Sequence, residues 1–157
     1  MANRTLAVVL ALTLALAISA AALAAGALNG KRYQGMTSAA GVDGEGHKLP
    51  HLTARAMTLK VSSNGRTVSV RFSSSVPPLY DCQTTKTVRA ESTKPAKILG
   101  DGTFKATVNE RFTPGPGQSS ITEIVTGRFS GKKVSGTVRT VQPPECTGSA
   151  SFSANAK

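Results

Sequence analysis

The chain alternates apolar and polar residues with a period of two, and that alternation restricts it to β-structure. Met57, Leu59 and Val61 alternate with Thr58, Lys60 and Ser62, and Val68, Val70 and Phe72 alternate with Thr67, Ser69 and Arg71. Ser63-Asn64-Gly65-Arg66 separates the two runs. Asn-Gly between alternating runs predicts a hairpin, because both residue types tolerate positive φ. The same grammar recurs downstream. Asp101-Gly102 precedes a run over 103–111 with Phe104, Ala106 and Val108 on one face. A run over 121–129 passes through Ser130-Gly131-Lys132-Lys133 into another over 134–141, predicting a second hairpin. There Val134, Gly136 and Val138 share one face, and the final run, 147–154, sets Gly148, Ala150 and Phe152 on another.

With an opening strand at 31–37 and a weaker one at 84–91, about eight strands are expected. Ser, Thr, Val and Gly dominate, and no segment after the N-terminus carries a helical stripe. Short strands at close spacing predict an all-β fold, an antiparallel sandwich or a small up-and-down barrel. Prolines assign 75–78 and 113–119 to loops. Residues 39–50 read as the longest linker, and no second domain is expected.

The N-terminus reads as an address. Arg4 precedes an apolar run at 6–18 broken only by Thr13, and 19–27 is almost entirely small residues. This is the grammar of a secretory signal peptide, with cleavage after Ala24 and Ala27 as the fallback frame. The alternative is an uncut segment that anchors the chain, since no charge falls between residues 5 and 30. Cleavage leaves one domain, 25–157, with 18 basic and 8 acidic side chains and a net charge of +10. In an exported chain the two cysteines, Cys82 and Cys146, are expected to form a disulfide. Closing a loop with 63 residues between them would contribute about 4 kcal/mol in the chain-entropy account. Cys146 shares the parity of Phe152, and Cys82 that of Val88 and Ala90, so both sulfurs are expected to face inward.

Five elements occur in order: Tyr33-Gln34-Gly35-Met36-Thr37, Cys82, Gly102-Thr103-Phe104, residues 127–137 (GRFSGKKVSGT) and residues 146–154 (CTGSASFSA). In these the chain resembles a group of uncharacterised small secreted bacterial all-β proteins with one disulfide. Such proteins often carry Trp where Phe152 stands here. The resemblance implies a compact, disulfide-tied β-domain and brings neither an activity nor catalytic residues.

Three groups of residues are candidates for chemistry. Asp43, Glu45, His47 and His51 fall within nine residues and supply ligand types suited to Zn²⁺. Gly44, Gly46 and Pro50 keep them off a common helical face, so they read first as a solvated loop, and neither a metal nor another cofactor is expected. Glu91, Glu110, Glu123 and Glu145 are the carboxylates from which a hydrolase would need to build a pair, yet no spacing sets two of them opposite each other. G-x-S-x-G is absent and there is no Trp, so no enzyme is expected. Finally, Lys60, Arg71, Arg89, Lys105, Arg128 and Arg139 all have outward parity. On adjoining strands they would form a basic sheet face suited to an anionic cell-envelope polymer or a membrane surface. No aromatics interleave with them, which disfavours a specific nucleic-acid partner. The expectation is a monomeric, secreted, non-catalytic structural or binding module; the alternatives are a binder of anionic envelope polymers and an undetected hydrolase. An inhibitory loop at 113–119 is a further reading with no target.

Overall fold

The computed structural model describes residues 29–49, 54–72, 87–112, 120–141 and 147–157, with the side chains at 87–90, 110–112 and 120 left out of the description. Ten strands account for nearly all of it: β1 (Arg32–Asp43), β2 (Lys48–Leu49), β3 (Ala56–Val61), β4 (Thr67–Phe72), β5 (Thr87–Ser92), β6 (Ala96–Lys97), β7 (Thr103–Phe112), β8 (Ser120–Ser130), β9 (Lys133–Val141) and β10 (Gly148–Ala156). No helix occurs among the described residues.

Eight of these strands run antiparallel in the order β1-β3-β4-β5-β7-β8-β9-β10, and β10 pairs back onto β1. The closing ladder runs from Tyr33 opposite Ala156 to Thr37 opposite Phe152. Of the two expected architectures, the sheet is therefore the up-and-down barrel and not the sandwich. A single closed sheet leaves no edge to protect, whereas a sandwich leaves four. The two short strands lie off the barrel circuit. β2 extends β1, and β6 pairs with the start of β4 where β5 does not reach.

The alternation sorts side chains between the interior and solvent as the parity requires. Leu59, Val61, Val68, Val70, Ala106, Val108, Val125, Val134 and Val138 are all essentially inaccessible. An eight-stranded barrel has an interior about wide enough for side chains to fill it, and here they do.

The two ends of the barrel are built differently. At one, the turn end, the connections are short. Gly65 takes φ 70° and donates to Ser62 O at 2.9 Å, closing the β3–β4 hairpin through residues 62–65. Asn64 Oδ1 accepts from Ser62 Oγ and from Arg66 N. The β8–β9 hairpin turns on Gly131-Lys132, with Gly131 at φ 56°. Tyr33, Phe104 and Phe129 plug this end. The Tyr33 and Phe129 rings meet edge-on at 5.0 Å, and Phe104 lies 5.3 Å from Phe129. Tyr33 Oη donates to Gly131 O at 2.9 Å, which gives the buried phenol a partner. Room for the aromatics comes from a cross-strand glycine pair, Gly127 opposite Gly136. A Cβ on Gly127 would lie 2.8 Å from Phe104, and one on Gly136 would lie 2.8 Å from Phe152. At the other end, the loop end, the chain leaves β4, β7 and β9 by the segments 73–86, 113–119 and 142–146, none of them among the described residues.

Two expectations from the sequence change. Of the expected linker 39–50, the described residues 39–49 are largely strand and turn. β1 continues to Asp43 across a register shift between Thr37 and Gly41, then turns back into β2. Asp43 drives this turn, because its Oδ1 accepts the N–H groups of Glu45 at 2.9 Å and His47 at 2.8 Å. In addition, β5 is bulged between Thr87 and Arg89. An extra residue inverts the side-chain alternation, so the inward parity carried from Ala90 back to Cys82 lapses. Cys82 and Cys146 themselves lie outside the described residues, as does the N-terminal segment 1–28.

Candidate functional site

A charged pair lies inside the barrel near the loop end. Arg55 directly precedes β3 and shares the inward parity of Met57 and Leu59; Glu123 shares that of Ile121 and Val125 on β8. Arg55 Nη1 donates to Glu123 Oε1 at 2.7 Å, and neither side chain is more than 1% exposed. The guanidinium also stacks over Phe72, 4.3 Å from the ring centroid. Backbone contacts fix the residue's position: Arg55 N donates to Thr37 Oγ1 at 2.8 Å, and Thr37 N to Arg55 O at 2.9 Å. Thr140 faces the interior beside Glu123, its direct cross-strand neighbour. The Thr140 hydroxyl is buried with no partner among the described residues.

Thr37, Arg55, Glu123 and Thr140 therefore form a polar layer between the apolar core and the loop end. An ion pair withdrawn from water costs several kcal/mol per ion in desolvation, which close geometry and added hydrogen bonds offset. Glu123 is occupied by a guanidinium, and no second carboxylate faces it among the described side chains. Sequence reasoning missed this layer, although the signal was present: opposite charges occupy inward-parity positions, one just before β3 and one on β8.

The acidic–histidine cluster is a turn. His47 Nδ1 lies 3.0 Å from Asp43 Oδ2 and 3.6 Å from Glu45 Oε2, all in solvent. Partial burial acts to raise the Asp43 pKa, but bonds from the His47 backbone and ring and from the Glu45 N–H outweigh it and leave the group below its ordinary value. Asp43 spends its lone pairs on the turn. No group of three His, Cys, Asp or Glu is placed to hold a metal ion among the described residues, and His51 lies outside them.

The six outward cations are divided by the barrel. Lys60, Arg71, Lys105, Arg128 and Arg139 are exposed as expected; Arg89 has only its backbone described. Their strands β3, β4, β5, β7, β8 and β9 are consecutive, but they span six of the eight staves of a closed cylinder. One flat sheet face would gather them, and the curvature separates them instead. Lys60, Lys105 and Arg128 lie towards the turn end, while Arg71 and Arg139 lie towards the loop end, where Arg71 Nε is 3.1 Å from Glu91 Oε1. Glu110 sits opposite Ile121 by register, with its side chain outside the description, and Glu145 lies wholly outside it.

A groove of about 490 Å³ runs over the outer surface where β2 folds against β1, with Val42, Leu49 and Ser151 in its walls. Lys48 is its sole ionisable lining residue, so it supplies no acid–base pair.

No family model matches this chain, and no curated protein does. The chain is similar in fold to a crystal structure of the isotype 1 transferrin binding protein B from serogroup B Neisseria meningitidis, with a TM-score of 0.51 and 16% sequence identity. The likeness covers 82% of this chain and 26% of that one, so the chain corresponds in fold to about a quarter of the neighbour's length.

Proposed function

We propose that this chain is an exported, non-catalytic binding module that engages its partner with the outside of a filled barrel. The observation that carries this reading is the interior. Among the described residues it is occupied by aliphatic and aromatic side chains, and its polar layer holds the Arg55–Glu123 pair. A small-molecule carrier or an enzyme of this architecture would need a cavity with convergent polar groups. Among the described residues, a concave surface is found on the outside instead, a shallow groove with one lysine. The neighbour's name states that it binds transferrin, which supports the barrel as a scaffold for binding and leaves the partner of this chain to be identified by its own chemistry.

Export, removal of residues 1–24, the Cys82–Cys146 disulfide and a monomeric state all belong to this proposal. Intact mass of protein recovered from the extracytoplasmic fraction, before and after reduction and alkylation, tests the first three together. The expected mass corresponds to a start at residue 25, or 28 in the fallback frame, with alkylation only after reduction. Free thiols in the exported chain would remove the disulfide. Assays with chromogenic ester, glycoside and peptide substrates are expected to show no turnover. Turnover lost on Glu123→Gln in a still-folded protein would replace the binding module with a hydrolase.

A further inference from the structure

Among the described side chains, charge is sorted along the barrel axis. At the turn end Arg32 and Lys60 stand directly opposite each other on β1 and β3. Like charges in direct cross-strand register repel. Lys31 accepts the Val61 N–H through its carbonyl, which brings it beside the same pair. Arg32 O accepts the Lys157 N–H, and Lys132 O accepts the Ala156 N–H, so the start of β1, the end of β10 and the β8–β9 turn meet. Lys133 flanks that turn. Across the end, Arg66 O accepts from Ile98 N, placing Arg66 beside Lys97.

All these cations are exposed, and none forms an ion pair among the described residues. Asp101 is the one described acid at this end, and its Oδ1 is engaged by the Thr103 N–H and hydroxyl. The loop half, by contrast, mixes Asp43, Glu45 and Glu91 with Lys48, Arg71 and Arg139. Such one-sided charge repels itself within the folded protein, and an anionic partner relieves that repulsion.

Two observations select the class of partner. First, the cations surround a barrel end built of turns, and the groove present among the described residues lies elsewhere, against β2. Second, Leu99 stands 54% exposed among them, at the start of the turn Leu99-Gly100-Asp101-Gly102. A lone leucine amid lysines suits a bilayer interface, where apolar burial adds to attraction for acidic headgroups. We infer that the turn end is a docking surface for an anionic lipid bilayer, with Leu99 at the contact. This deepens the outer-surface binding reading and rests on it.

The test is co-sedimentation of the exported protein with vesicles of phosphatidylcholine, alone or mixed with phosphatidylglycerol. Binding is expected to the mixed vesicles only, and to weaken with added salt as the Debye length shortens. Lys132→Gln combined with Lys133→Gln should lower partitioning by about one order of magnitude. Leu99→Ser should lower it further without altering the salt dependence. Lys48→Gln with Arg139→Gln, at the loop end, should leave it nearly unchanged. Circular dichroism of each variant confirms that these surface changes leave the barrel folded. Absence of binding at low salt, or equal losses from loop-end and turn-end variants, would overturn the inference. Retention by soluble polyphosphate with no vesicle binding would assign this end to a polymer and overturn it as well. Each of those outcomes leaves outer-surface binding standing, which only Glu123-dependent turnover would remove.

Discussion

The two ends of the barrel solve the same problem with opposite materials. Each must close a cylinder whose wall is a hydrogen-bonded antiparallel sheet. The turn end does so with Tyr33, Phe104 and Phe129, whose rings meet at 5.0 and 5.3 Å beneath short glycine-bearing turns. The loop end does so with a buried salt bridge, Arg55 to Glu123, stacked on Phe72. Aromatic closure gains from apolar burial and tolerates the loss of one contact in a graded way. Ionic closure is conditional, because each charge is acceptable only while the other is present. The outer surfaces reverse the contrast. Among the described residues, the end with the apolar plug has the strongly basic exterior, and the end with the buried ions has a mixed one. Interior chemistry therefore sets stability here, while exterior chemistry is free to serve a partner.

The largest expected effect breaks the ionic end. Glu123→Leu leaves Arg55 buried without this partner and should cost about 3–5 kcal/mol in chemical denaturation. Adding Arg55→Met should recover part of that loss, since apolar residues of similar volume leave neither charge stranded. Equal stability of the single and double variants would show that the two side chains do not depend on each other. At the aromatic end Phe129→Ala should cost about 3 kcal/mol or slightly more through the cavity it leaves. Adding a second apolar residue does not rescue that loss in the way the charge swap does.

Tyr33→Phe is a finer probe of the aromatic end. It keeps the ring and removes only the bond to Gly131 O, so a loss of about 1 kcal/mol is expected. Burial also raises the Tyr33 pKa above its ordinary value, and the phenol should titrate later than a free tyrosine in an ultraviolet pH titration.

The smallest effects are electrostatic and compare one aspartate from each end. The Thr103 hydroxyl and N–H lower the Asp101 pKa, and Arg128 assists; the bonds of its own turn lower that of Asp43. Because both folded values lie below the ordinary 3.8, the turns they support are whole above that pH. Their contribution disappears as pH falls through the lowered values. Carboxyl carbon shifts followed by NMR should show both midpoints below 3.8; midpoints at or above it would mean that the turn bonds are not formed in solution.

Much of this fold was legible from local pattern. Asn64-Gly65 and Gly131-Lys132 lie where the two hairpins turn, and the inward sets Phe104-Ala106-Val108 and Val134-Gly136-Val138 follow from parity alone. Closure was not legible, because alternation tells which face a residue takes but not which strand lies beside it. The pairing of Thr37 with Phe152 joins residues more than a hundred positions apart. For the same reason the basic residues could be assigned outward but not gathered, and a cylinder distributes what a flat sheet would collect. Arg55 and Glu123 were hidden for a different reason. A charge at an inward position looks like an interruption of the pattern until its partner's place in space is known. The bulge at Thr87–Arg89 illustrates the limit of parity, since one inserted residue reverses every inference carried across it.

The most direct test is a backbone amide NMR map of the labelled protein titrated with small bicelles containing phosphatidylglycerol. Shifts and line broadening should concentrate at Lys31, Arg66, Leu99, Lys132 and Lys133, with Thr37, Glu123 and Thr140 unmoved. Perturbations centred on that interior layer, with the turn end silent, would contradict both the filled interior and the basic docking surface.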